Sequence, residues 1–408
     1  MTIPVLFIAT SSNANPGGGR TRIVDVALES RKRGFSPLIL CFFYGSQTLI
    51  GFRALSQARE SLQADAASPV FYVPFLPFTR LAWVDWLNNW FCGLVIAQFC
   101  LCFNIRAIYG HGGKAGYLGL FARALRSNIR VISDIQGAVV DEYLYSRASD
   151  VPDAVAHRLM REQTQTLVQS DRLIFVSSAM QAHYKHFLGH PLPQAVVIPC
   201  ATRSEFEINL HQRKIIRRAR GLDGRLVVCY AGSAHAYQRP DQMVALFKSI
   251  IKSFPQAFFL IFSYDSAGFK RVLDEQSVPE TYYQIDFVPH SQIFEQLQSA
   301  DVGLLLRDDS LVNRVASPTK FAEYLLCGLP VLTTAFVGDY SDLVKEFSLG
   351  CIVDPSRLET ADDGLIAFLA DVQSNQVDYA QRCARFAREH FTWERYSPFF
   401  DDLFVAHL

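Results

Sequence analysis

An excess of either charge is missing from this sequence: 39 basic and 39 acidic side chains give a formal net charge of zero. Proteins that bind nucleic acid normally carry a basic excess or stripe, so no nucleic-acid partner is expected. Paired cysteines are missing too. The nine cysteines run from Cys41 to Cys383 with no CxxC pair and no zinc spacing. They read as small apolar residues in a reducing compartment, and no metal is expected. No apolar stretch reaches the roughly 20 residues that span a bilayer. The longest, Trp90 to Phe103, contains Gln98. It reads as a buried helix or, with Trp83 and Trp86 upstream, as a helix that touches a membrane or a lipid-linked acceptor. The opening MTIPVLFIAT lacks the basic flank of a signal peptide and reads as a buried first strand. A short-period repeat is absent as well, which excludes a solenoid.

What is present is apolar and alternating. Half of the 408 residues are hydrophobic, enough for two cores. Strand-like runs alternate with amphipathic stretches, as in parallel sheets built from βαβ units. VLFIAT, PLILCFF, AIY, RVISDI, RLIFVSS and AVVIP supply the first half; VVCYAGS, AFFLIFS, YYQIDFV, DVGLLL, LPVLTT and GCIVD supply the second. Between them, residues 203–224 are basic, polar and poor in strand signal, as an exposed linker with a short helix would be. The expected architecture is α/β: two doubly wound, Rossmann-like domains, at 1–202 and 225–385, facing a central cleft where ligands bind beyond the carboxyl ends of the strands.

The strongest local signal is SPTKFAEYLLCGLPVLTT, Ser317 to Thr334. Ser317, Pro318 and Thr319 form a helix start whose free amides can face a phosphate. Lys320 sits in that first turn, where a cation is unfavourable unless an anion neutralises it. Glu323 follows on the same helix face. A phosphate-binding turn with one carboxylate beside it suits a nucleotide, the carboxylate accepting both ribose hydroxyls. Arg307 ends the run DVGLLL and therefore projects from a carboxyl edge; Lys320, Arg307 and Arg314 are all candidates for phosphate charge. The loop YAGSAHAYQRP brings Gly232, Ser233, His235, Tyr237 and Arg239 after another strand. In the first half, NANPGGGR follows the first strand and puts Gly18 and Gly19 at a helix start, where backbone amides can approach a phosphate or sugar. YGHGGKAG adds His111 and Lys114, and SDIQGAVVDEY adds Asp134, Gln136, Asp141 and Glu142. Asp134 is the polar candidate for orienting an acceptor hydroxyl.

The string EYLLCGLPV resembles the "EAMACGxPV" element of retaining GT-B glycosyltransferases of the large family 4 class. ADVGLLL, DRLIFVSS, AVVIPCA and the terminal FTWERY fit the same pattern over most of the chain. The resemblance implies that Glu323 binds the donor ribose and that Arg239 stands where the family's pyrophosphate lysine does. It also implies that residues 386–408 cross back to pack on the first domain. Ser233 replaces the family's arginine, and Val315 replaces a second glutamate that contacts the transferred sugar. Implied, too, are a UDP- or GDP-linked sugar as co-substrate, a saccharide or lipid-linked acceptor, and retention without an enzyme nucleophile. No separate cofactor is implied. The expected location is the cytoplasm, with peripheral contact at the inner face of a membrane as the sharper reading. Rival readings are a nucleotide-sugar epimerase on the same scaffold, with cleft carboxylates and the histidine as acid and base, and a noncatalytic partner subunit of similar fold.

Overall fold

The structure, a computed structural model, describes residues 2–10, 18–44, 52–75, 82–146, 153–189 and 191–405. It contains two compact units: Met1–Ala201 with Trp393–Leu408, and Thr202–Thr392.

The first unit is built on β1 (Ile3–Ala9), β2 (Phe35–Tyr44), β3 (Val70–Phe75), β4 (Ala107–His111), β5 (Arg130–Ile135), β6 (Arg172–Phe175) and β7 (Ala195–Val197). These pair in parallel in the order β3-β2-β1-β4-β5-β6-β7. Successive side chains of a strand point to opposite faces. Val5, Phe7 and Ala9 of β1 accordingly pack with Ile23, Val24 and Trp393, while Leu6 and Ile8 pack with Ile96 and Leu118 on the other face. Full burial of such aliphatic side chains contributes about 1.5–3 kcal/mol each, which is why β1 can be apolar from end to end. Strand β3 was not among the expected runs. Its Pro74 argues against a strand interior, and the sheet accommodates it at an edge, where a missing N–H costs no ladder bond on the open side.

The helix Ala82–Cys102 corrects the buried-helix expectation. Asp85, Asn88, Asn89 and Cys92 face inward, whereas Trp83, Trp86, Phe91, Leu94 and Leu101 are 49–64% exposed. Beneath it Lys114 is paired with Glu162 at 2.9 Å and with Asp85 at 3.9 Å, so this lysine serves the interior rather than a ligand. No helix among the described residues is long and apolar enough to cross a membrane.

The second unit carries β8 (Val227–Ala231), β9 (Phe258–Phe262), β10 (Tyr283–Asp286), β11 (Val302–Leu305), β12 (Val331–Thr333) and β13 (Gly350–Ile352). All pair in parallel, in the order β10-β9-β8-β11-β12-β13. The basic run after residue 202 is not an exposed linker. Its helix Leu210–Ala219 is built into this unit, with Arg213 and Arg217 buried. Arg213 donates to Asp301 at 2.7 Å, and Arg217 to the Ser299 carbonyl at 2.8 Å and to Asp301 at 3.2 Å. The charges that looked like a solvated stretch satisfy carbonyls and one carboxylate at the approach to β11. The chain re-enters the first unit at Trp393, a few residues later than position 386.

Candidate functional site

Each sheet has one place where neighbouring strands send their connections in opposite directions, and a crevice opens there beyond the carboxyl ends. In the second unit it lies between β8 and β11, and in the first between β1 and β4. The candidate residues gather at both.

At the second unit's crevice, β8 ends in Ala231 and continues into Gly232; β11 ends in Leu305 and continues to Arg307. Arg307 is 3% exposed. Thr334 pins its backbone, accepting from the Arg307 N–H at 3.0 Å and donating to the Arg307 carbonyl at 2.7 Å. Its Nη1 donates to the adjacent Leu306 carbonyl, at 2.8 Å, and the Tyr237 ring lies 5.9 Å away. Burial pushes this guanidinium below its ordinary value.

Lys320 stands in the first turn of the helix Thr319–Leu326, whose N-cap, Pro318, gives no side-chain cap. Its ammonium lies over the Tyr230 ring at 5.5 Å and directly above Gly232. A Cβ on Gly232 would fall 2.5 Å from Lys320 Cε and 2.8 Å from Nζ, and the residue's φ of +149° already favours glycine. Burial, followed by the charge of Arg307, lowers the Lys320 pKa to about 8, with Glu323 acting in the opposite sense. Among the described residues no carboxylate forms an ion pair with Arg307 or Lys320. Two partly or fully buried cations side by side, at an uncapped helix start, fit an anion carrying more than one charge.

Not every candidate converges there. Arg239 has a positive φ of 57° and directs its guanidinium to Asp241, at 2.7 and 3.1 Å. Ser317 turns its hydroxyl to that of Tyr340. Arg314 is paired with Asp309 at the surface. Ser233 and Val315 are buried. Tyr230, which the sequence reading passed over as part of a strand, forms the floor under Lys320. Its only signal was a hydroxyl-bearing residue one position before the end of an otherwise apolar run.

The first unit's crevice is polar and self-neutralised. His111 and Asp134 sit at paired positions of β4 and β5, and Ala9 of β1 pairs with His111. Asp134 is fully buried. It accepts from Arg22 Nε at 2.7 Å, Arg22 Nη2 at 2.9 Å, Gln136 Nε2 at 2.9 Å and the Tyr109 hydroxyl. These partners hold its pKa below the usual carboxylate range despite the burial that opposes them. A carboxylate so enclosed does not touch an acceptor, which corrects the role expected for Asp134. It orients Gln136 instead, whose amide also donates to His111 Nδ1 at 2.7 Å. With Nδ1 accepting, the imidazole proton belongs on Nε2, the atom nearest Gly19, whose backbone is a hydrogen-bond partner of the ring. Burial lowers the His111 pKa to about 4, so at neutral pH this histidine is an uncharged donor. Gly18 and Gly19 open the helix Gly18–Lys32 beside it; Asn13 to Gly17 lie outside the described residues. Arg22 and Tyr109 were invisible as site residues because each reads as an ordinary helix or strand position.

Residues 17–201 match the glycosyl transferase 4-like domain family, and residues 212–390 match glycosyl transferases group 1. Among solved structures, HepE of Anabaena in complex with UDP is similar with a TM-score of 0.73 at 15% identity, covering 98% of this chain and 99% of that one. Sucrose-phosphate synthase from Thermosynechococcus elongatus gives 0.71 at 16% identity, with 98% of both chains covered. WaaG, a glycosyltransferase involved in lipopolysaccharide biosynthesis, gives 0.66 at 12%, covering 98% of this chain and 100% of that one. At these identities the likeness is one of fold, the GT-B architecture. No curated protein matches the sequence.

Proposed function

Because this chain belongs to the group 1 glycosyltransferases, we propose that its second unit takes a uridine diphosphate sugar and its first unit the acceptor. The observation that carries the reading is the Arg307–Lys320 pair at the β8–β11 crevice, two cations with no ion-paired carboxylate among the described residues. The diphosphate lies against them and the amides of Thr319 and Lys320, and Glu323 accepts the ribose hydroxyls. HepE, of the same fold, is a protein solved with UDP and with UDP-glucose, which favours uridine over guanosine.

Transfer proceeds with retention. The bond between the anomeric carbon and the β-phosphate oxygen breaks, and the acceptor oxygen bonds that carbon on the same face. The acceptor's proton passes to the departing phosphate oxygen. Arg307 and Lys320 stabilise the negative charge that grows on the diphosphate, the kind of term that is worth about 10²–10³ in rate per donor. His111, hydrogen-bonded to the Gly19 backbone on its Nε2 side, holds the glycine-opened helix start against the sugar or acceptor. Since it is neutral and its Nδ1 is occupied, it positions rather than abstracts. Asp134 being sealed, the acid–base pair an epimerase requires is not supported.

Nucleotide release from UDP- and GDP-sugars, compared between wild type and Glu323→Ala, tests the donor assignment. Release from a UDP-sugar is expected, with KM raised at least about tenfold in the variant by loss of the two ribose hydrogen bonds. Release confined to GDP-sugars would overturn the uridine assignment, and no release from any donor, with no binding, would overturn the site itself.

The acceptor is lipid-linked, and the helix Ala82–Cys102 is where the lipid surface is met. Its exposed tryptophans and leucines carry no charge along the outward face, as an interfacial helix requires. Sedimentation with phosphatidylethanolamine–phosphatidylglycerol vesicles is expected to bring down the wild-type protein. Trp83→Gln combined with Trp86→Gln is expected to weaken partitioning about tenfold or more. Equal sedimentation of both proteins, or of neither, rejects this contact.

A further inference from the structure

Arg22 reaches beyond Asp134. Its Nη1 donates to the Pro199 carbonyl at 2.8 Å and its Nη2 to the Ile198 carbonyl at 3.0 Å, just before the chain leaves the first unit after Ala201. Trp393, the first residue after the chain returns, places its ring 5.5 Å from the guanidinium. The Trp393 indole N–H is donated to Asp25, one turn along from Arg22, at 3.0 Å. The outgoing and returning segments are also joined to one another. The Thr202 N–H donates to the Phe391 carbonyl at 2.7 Å, and Thr202 and Thr392 form a parallel bridge.

One buried side chain therefore hydrogen-bonds the outgoing segment, lies against the Trp393 ring of the returning one, and holds the carboxylate that orients Gln136 and His111. Filling this space for stability alone would be served as well by apolar side chains, because the desolvation of a buried ion pair offsets most of its attraction. What the ion pair adds is geometry: a bidentate fork fixes angle as well as distance. The donors and acceptors run without a gap from Pro199 through Arg22, Asp134 and Gln136 to His111, and hydrogen-bond chains of this kind have few alternative arrangements.

We infer that Arg22 is a positioning residue that ties the orientation of His111 to the two chain crossings. When the crossings hold their observed path, the fork keeps Asp134 where it can hold the Gln136 amide, and His111 presents Nε2–H. When Arg22 is released from the crossings, Gln136 loses its anchor and the imidazole turns. This rests on the role proposed for His111, and its primary readout needs no turnover.

The test is nitrogen-15 NMR of the imidazoles, with His111 assigned by its loss in His111→Gln, alongside donor kinetics. Arg22→Lys keeps the charge but not the fork. It is expected to replace the single Nε2–H signature with a tautomer mixture and to lower kcat about 10–100-fold, as small misplacements do. KM for the donor should stay within about twofold, since its phosphates bind the other unit. Trp393→Phe, which loosens the returning crossing and touches neither Gln136 nor His111 by any bond given above, should shift the same resonances in the same direction, with a loss of about 3–10-fold in kcat. A folded Arg22→Lys protein with wild-type His111 resonances overturns the inference, even if its melting temperature falls. Should that variant fail to fold, Trp393→Phe decides: unchanged imidazole signals overturn the coupling, and shifted ones support it. A protein inactive on every donor but with shifted resonances would remove the proposed function and leave the coupling standing.

Discussion

Lys320→Met is expected to abolish donor use while leaving the unliganded protein at least as stable as the wild type. The ammonium lies beside Arg307 with no ion-paired carboxylate among the described residues, and its pKa of about 8 records the cost of keeping it charged there. Methionine fills similar volume without that cost. Calorimetry should show an unchanged or raised Tm for the variant. Addition of UDP at a hundred times its Kd should stabilise the wild type by about 2.7 kcal/mol and the variant hardly at all. The pH dependence follows from the same group. The unfolded lysine titrates near 10.4, above its folded value. Below pH 8 both states carry the proton and the burial cost is present in full. Between about 8 and 10.4 the unfolded state binds more protons, so stability rises with pH. UDP affinity should run the other way and fall as pH climbs past 8, because the anion selects the protonated lysine. A flat affinity profile from pH 7 to 10 would show that Lys320 does not meet the phosphates.

The greatest loss of stability is expected from Asp134→Ala. It strands Arg22 as an uncompensated buried cation, an error that typically costs about 3–5 kcal/mol. In a unit of this size that corresponds to roughly 6–20 °C in Tm. Pairing Asp134→Leu with Arg22→Met removes both charges and should recover most of the loss, though not the imidazole signature of His111. In the wild type the folded pKa of Asp134 lies below its unfolded value. Its contribution is therefore complete above about pH 4 and disappears as pH falls through the folded value. Acid denaturation of the first unit should accordingly be shallower in the double variant. Equal stability of Asp134→Ala and wild type would refute the buried-pair account.

The two predictions mark where the sequence could and could not be read. The strand ends were legible because buried parallel strands are continuous apolar runs, and residues just past them, such as His111 and Arg307, are placed by chain direction alone. Lys320 was legible because a cation in a helix's first turn contradicts the dipole and asks for an explanation. Side-chain pairing was not legible. Nothing local says that Arg239 will take Asp241, that Ser317 will take Tyr340, or that Arg213 and Arg217 will turn inward to Asp301. Those choices are settled by partners tens of residues away or by the competition between a ligand and a nearer carboxylate. Arg22 is the extreme case: its partners lie 112 and 177 residues along the chain.

The pair formed by Arg307 and Lys320 carries a kinetic cost. Charges that draw in a sugar diphosphate hold the bare diphosphate at least as well, because the departing group gains negative charge when the sugar leaves. On this reading the slow step of the cycle is discharge of the spent nucleotide, and free UDP competes with fresh donor for the same two cations. The enzyme would then respond to the ratio of charged to spent nucleotide, slowing whenever the spent form accumulates and without any separate regulatory site.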